Sequence, residues 1–134
     1  MTEPKIKYEQ LTTGFEFAPS IITMDSKTVK SYIEATEDNS TVYQNKIVPP
    51  MAIAALAMTA MAGSFELLPG TVHVSQQLEF LNTVNINETL TCYASVSRKV
   101  ARGKFHMLTI GIKVLNRRQD TVITGEIGFI LPLN

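Results

Sequence analysis

The sequence predicts an α+β fold in which an antiparallel sheet wraps around one long buried helix. Three observations predict it. First, the stretch from Met51 to about Phe65 carries Ala at 52, 54, 55, 57, 60 and 62 and Met at 51, 58 and 61. A helix apolar nearly all round is a buried helix, not an amphipathic one. Second, everything after Gly70 reads as strand, with side chains alternating between apolar and polar. Third, the segments between those strands are short and rich in turn residues.

The elements follow in order. Residues 14–22 (GFEFAPSII) begin with alternation at Phe15 and Phe17 and read as a short strand, placed at an edge by Pro19. From Asp25 the period changes. Val29, Tyr32, Ile33 and Thr36 fall at i, i+3, i+4 and i+7, which predicts a helix over about 25–36, capped by Asp25 or Ser26. An acidic loop runs from Glu37 to Lys46. Pro49-Pro50 then stops any incoming helix and presets the backbone for the next, and Leu67-Leu68-Pro69-Gly70 ends it.

Four strands are expected after that: Val72–Leu81, Thr89–Val100, Lys104–Leu115 and Thr121–Leu131. In the third, Phe105, Met107, Thr109, Gly111 and Lys113 share one face, and Leu108, Ile110, Ile112 and Val114 the other. The turns are Ala101-Arg102-Gly103 and Asn116–Asp120. One helix leaves a sheet edge and part of the core uncovered, and pairing through the sheet would close that edge.

Composition bounds the function. A chain of 134 residues fits a single domain spanning 1–134, and 45% hydrophobic residues suffice for a core. Twelve basic residues balance twelve acidic ones, so no pooled positive field favours nucleic acid. The longest apolar run, Pro49 to Gly63, is shorter than the roughly 20 residues a membrane helix needs. The polar start MTEPKIKYEQ has no apolar leader, and one cysteine allows no internal disulfide. Both predict a reducing, cytoplasmic setting, in which the sequons at Asn39 and Asn87 are chance. Cys92 lies in an alternating run and reads as a strand residue. His73 and His106 are isolated, so no metal-ligand spacing is present.

The motifs carry the rest. Thr36-Glu37-Asp38 enters the acidic loop, Tyr43 stands near its end, and Val48-Pro49-Pro50-Met51 opens the buried helix. Phe80-Leu81-Asn82-Thr83-Val84 and Asn87-Glu88-Thr89-Leu90 follow, with Gly125 in the last strand. In this order and spacing, from about residue 14 to 131, the chain resembles the MaoC-like dehydratases, which include the (R)-specific enoyl-CoA hydratases. The resemblance implies a hotdog fold.

It also implies a ligand, an acyl-CoA or acyl-carrier-protein thioester, and no separate cofactor. Active members use a loop of the form T-G-D-x-N-P-x-H. Its Asp and His orient and deprotonate a water, and an N–H at the start of the buried helix, on a Gly after a Pro, polarises the thioester carbonyl. Carried over, Asp38 takes the catalytic acid's place, Ser40 stands where Asn is usual, Tyr43 replaces the histidine and Pro50 replaces the glycine. A phenol with a pKa of about 10 is a poor base at neutral pH, and proline has no N–H. The carbonyl donor is then missing unless the Met51 N–H replaces it.

Beside these catalytic candidates, Asp38 and Tyr43, the substrate-binding candidates are Ser40, Pro50, Met51, Arg98 and Arg102. The two arginines belong to a basic hairpin with Lys99 and Lys104, and such a hairpin either pairs with the phosphates of CoA or is a solvated turn. The Ala/Met face of the helix either lines an acyl tunnel or is plain core. Three readings stand open: an acyl-thioester enzyme of hydratase or dehydratase type, a non-catalytic hotdog subunit beside an active partner, and a hotdog thioesterase. A homodimer is expected.

Overall fold

The Asp25 carboxylate accepts the backbone N–H of Thr28 at 2.7 Å, and helix α1 (Ser26–Thr36) begins directly after it. This cap satisfies an N–H that has no partner within the helix. The bond from the Thr28 N–H holds the Asp25 carboxyl below its usual range. The computed structural model describes residues 7–36, 47–63 and 69–132. A 3₁₀ turn at Tyr8–Gln10 precedes β1 (Ser20–Thr23) and α1. Helix α2 (Pro50–Ala62) and strands β2 (Val72–Phe80), β3 (Thr89–Arg102), β4 (Phe105–Leu115) and β5 (Thr121–Pro132) complete the order. Among the described residues no helix is long and apolar enough to cross a membrane.

The five strands form one antiparallel sheet in the order β1-β3-β4-β5-β2. Strand pairing near the N-terminus starts before β1, as expected. Gly14 donates to Val96 O, Val96 to Phe15 O and Phe17 to Ala94 O. The ladder breaks at Ala18-Pro19 and resumes at Ser20 opposite Cys92, because proline has no N–H to contribute. The edge position expected of this strand is observed.

A continuous four-strand meander over β2 to β5 would be the simplest topology, and the structure departs from it. Strand β2 pairs with β5 at the far edge instead of with β3. The connection after β2 decides this. Val48 donates to Val84 O, Asn87 donates to Met24 O and Met24 donates to Glu88 O. These bonds carry the chain past the start of α2 to the β1 side, with Asn87 at a positive φ of 74°, a conformation asparagine tolerates better than most residues. Gly125 then lets β2 lie close against β5. A Cβ there would collide with Gln77 O and Leu78 Cδ2.

Helix α2 has 13 residues and runs about 20 Å, whereas β3 has 14 and runs roughly 46 Å. It therefore covers only part of the sheet. There Val48, Ile53, Ala54 and Ala57 pack on Leu90, Val114 and Ile123. From its last turn onward, Met61 together with Tyr8, Leu11 and Phe17 covers Val96, Leu108, Ile110 and Leu131. Within one chain α2 is not buried all round: Met51, Ala55 and Thr59 form an exposed stripe at i, i+4 and i+8. Strand β2 also lies exposed over nearly its whole length. Among the described residues no element covers either surface.

Candidate active site

The start of α2 is positioned by backbone bonds before any side chain is considered. Val48 N–H meets Val84 O at 2.8 Å, and Ile47 bridges Asn85. Pro49 and Pro50 then fix the first turn. Ala52 N–H is taken by Pro49 O at 3.0 Å, and Pro50 has none. Among the described residues no acceptor takes the Met51 N–H, which lies at the positive end of the helix dipole.

Beside that donor lies a cleft of about 190 Å³. Ile47, Val48, Pro50 and Ile53 form one wall, and Phe80 to Val84 the other. Phe80, Leu81 and Met51 leave its surroundings apolar and open to solvent, at 39%, 47% and 47% exposure. Asn82 is held in place by its side-chain N–H, which donates to Thr121 O at 2.6 Å. An apolar cleft beside an unused backbone donor can seat an acyl chain and hydrogen-bond its carbonyl oxygen.

Of the residues singled out in the sequence, Pro50 lines this cleft, and Met51 follows it on α2. Asp38, Ser40 and Tyr43 lie outside the described residues. Arg98 and Arg102 are exposed on β3, eight and twelve residues after Leu90, so roughly 26 Å and 40 Å along the strand. Within one chain they do not meet the helix start. Lys99 of the same hairpin is not a free cation. Its ammonium donates to Tyr8 O at 3.0 Å and Leu11 O at 2.7 Å and lies 4.1 Å over the Tyr8 ring.

Neither histidine joins the cleft. His73 tilts against Phe129 with Nε2 2.9 Å from Ser75 O, and His106 meets Tyr8 edge-on. Cys92 is a buried strand residue, and burial pushes its thiol up to about 11. Along the underside of α2, beside Ala57, Met61 and Cys92, only about 10 Å³ is open. The side of the helix that carries Ala54, Ala57 and Met61 is therefore core. A larger hollow, about 810 Å³, lies on the sheet's outer face between Glu16, Pro19, Tyr93, Lys113 and Glu126. Phe17, Ala94 and Ile112 line it as well, so it is an open, mainly apolar groove with charged residues at its rim, and no α2 residue lines it.

A family model for the FAS1-like dehydratase domain region matches residues 12–125. The chain belongs to this dehydratase family. Among functionally curated proteins no sequence matches it significantly. Solved structures extend the likeness in fold. The unliganded R-hydratase PhaJ1 from Pseudomonas aeruginosa matches with a TM-score of 0.80 at 20% identity, over 97% of this chain and 88% of that one. A MaoC-like dehydratase from Rhodospirillum rubrum matches at 0.73 and 16% identity, over 95% and 97%. The HadBC 3R-hydroxyacyl-ACP dehydratase complex from Mycobacterium tuberculosis matches at 0.73 and 14%, over 89% and 96%. The hotdog fold and the MaoC-like resemblance read from the motifs both hold for this FAS1-like dehydratase-region chain.

Proposed function

We infer that the chain binds an acyl thioester with its carbonyl at the start of α2 and its acyl group in the adjoining cleft. The observation that carries this reading is the Met51 N–H, which has no acceptor among the described residues, beside an apolar cleft in a chain of a dehydratase family. The usual glycine donor is replaced by Pro50, and the donor has moved one residue along the helix. In this reading it hydrogen-bonds the thioester oxygen and the enolate that forms as water adds to C3. A helix N-terminus stabilises that charge. Asp38 takes the proton from water. Tyr43 gives a proton to C2 and regains one from Asp38, so the net change is addition of water. Tyr43 is four residues from Ile47, which lines the cleft.

The test is hydration of crotonyl-CoA by the wild type and by Asp38→Asn. The reading expects turnover that falls about 10²- to 10⁴-fold in the variant. An equal rate in both would remove Asp38 from the mechanism. Release of free thiol in place of hydration would assign the chain as a thioesterase.

The second reading, a subunit that needs a partner, is favoured by β2. It is a sheet edge, and Val72, Val74, Phe80 and Leu81 are exposed on or beside it. An open apolar edge is the surface a second hotdog chain would cover. A second copy makes a homodimer, and a chain with an intact Asp/His pair makes a heteromer. Sedimentation of the purified chain at micromolar concentration separates the two. A dimer supports self-pairing, and a monomer that dimerises only with a second hotdog subunit supports the heteromer.

A further inference from the structure

We propose that the outer face of the sheet around Gly111 is a docking surface for a second copy of this chain. It is the open groove between Glu16, Tyr93, Lys113 and Glu126. No residue of the cleft beside α2 lines it, and none of β2 does. Strand pairing sets its layout. Tyr93 pairs with Lys113 and Lys113 with Thr124, while Ser95 pairs with Gly111 and Gly111 with Glu126. Paired residues point to the same side of a sheet. The face therefore carries a row with two large side chains, Tyr93 and Lys113, next to a row with two small residues, Ser95 and Gly111.

Gly111 points to the occupant. A glycine inside a strand costs stability and marks a place where something else comes close. Gly125 has such a neighbour within the chain, because a Cβ there would collide with the β2 backbone. A Cβ on Gly111 would meet nothing nearer than 3.9 Å, so the chain's own packing does not require the glycine. A second copy does. A twofold axis running across the strands, between the two rows, lays Lys113 of each copy over Gly111 of the other and Tyr93 over Ser95. Such contacts are reciprocal, as a twofold interface demands. Glu126 stands beside Gly111 in the sheet, so each ammonium arrives next to a carboxylate. Among the described residues neither Lys113 nor Glu126 has an ion-pair partner within the chain. Tyr93, 39% exposed, and Ile21, 74% exposed and paired with Thr91 on the same face, supply apolar area to bury.

The experiment is sedimentation of the full chain as wild type, Gly111→Val, Lys113→Glu and Glu126→Lys. Gly111→Val fills the seat for Lys113 of the other copy, while the fold has room for it and valine suits a strand. The charge variants set like charges against each other across the interface, which should weaken association roughly 100-fold. Each variant should halve the particle, from dimer to monomer or, where β2 also pairs, from tetramer to dimer. An equimolar mixture of Lys113→Glu and Glu126→Lys should regain the wild-type size, because each then offers the other the opposite charge at both contacts. Mixing would not mend a defect inside one chain. A wild type that stays monomeric would overturn the proposal. A dimer of the same size in all the variants would overturn it too and assign the pairing to β2. Charge variants that dissociate but do not reassociate on mixing would remove the Lys113–Glu126 contact and the proposed arrangement with it.

Discussion

Val48 donates its backbone N–H to the carbonyl oxygen of Val84 at 2.8 Å, and both residues are buried. This bond joins the approach to α2 to the connection that leaves β2. It sets the two walls of the cleft against each other. Val84→Ala should therefore cost about 2 kcal/mol in stability, from lost burial and the space left behind. It should also weaken butyryl-CoA binding. Urea unfolding and calorimetry on the same variant check both effects, and loss of stability with unchanged binding would place the cleft elsewhere.

Gly125→Ala should destabilise the chain by about 1–3 kcal/mol, because a Cβ there meets the β2 backbone at Gln77. The strand that gives way is the exposed edge strand. Thermal unfolding should therefore show a lower Tm, and amide exchange should rise first at residues 76–79. A variant as stable as the wild type would contradict the close approach of β2 to β5.

Lys99→Met should leave acyl-CoA affinity unchanged, within about twofold. The ammonium is occupied by Tyr8 O and Leu11 O, so its loss should instead loosen residues 8–17 and cost about 1.5–3 kcal/mol. Hydrogen exchange at Gly14 and Phe17, together with a CoA titration, checks this. A strong fall in CoA affinity would return Lys99 to the role of a phosphate ligand.

Cys92 should be inert to thiol reagents until the protein unfolds. Burial raises its thiol from 9.0 to about 11, so the native state holds the proton more tightly than the unfolded chain. The resulting stability is fully present below about pH 9 and is lost as pH rises toward 11. Denaturant melts from pH 8 to 11 should show that decline, and Cys92→Ala should flatten it.

Some of this was legible in the sequence. Strands β3 to β5 follow from strict alternation, and Leu108, Ile110, Ile112 and Val114 are buried on the face expected. The cap at Asp25 and the helix start at Pro50 are local chemistry and were equally readable. The position of β2 was not, because it depends on bonds from residues 84–88 back to Val48 and Met24. Lys99 looked like a hairpin cation for the same reason: its acceptor at Leu11 is 88 residues away in sequence. The exposed stripe of α2 was hidden too. When every face of a helix is apolar, composition cannot say which face the fold leaves open. The helix start at Pro50 was read correctly, while Asp38, Ser40 and Tyr43 lie outside the described residues.

The most direct test of the acyl-thioester site is a titration of crotonyl-CoA into two variants, Met51→Ala and Met51→Pro. Both remove the side chain, but only the proline removes the backbone N–H, and it does so in the first helical turn, where proline is tolerated. The account predicts binding by Met51→Ala and roughly three- to tenfold weaker binding by Met51→Pro, the worth of one hydrogen bond. Equal affinities in the two variants, with both folded, would contradict it.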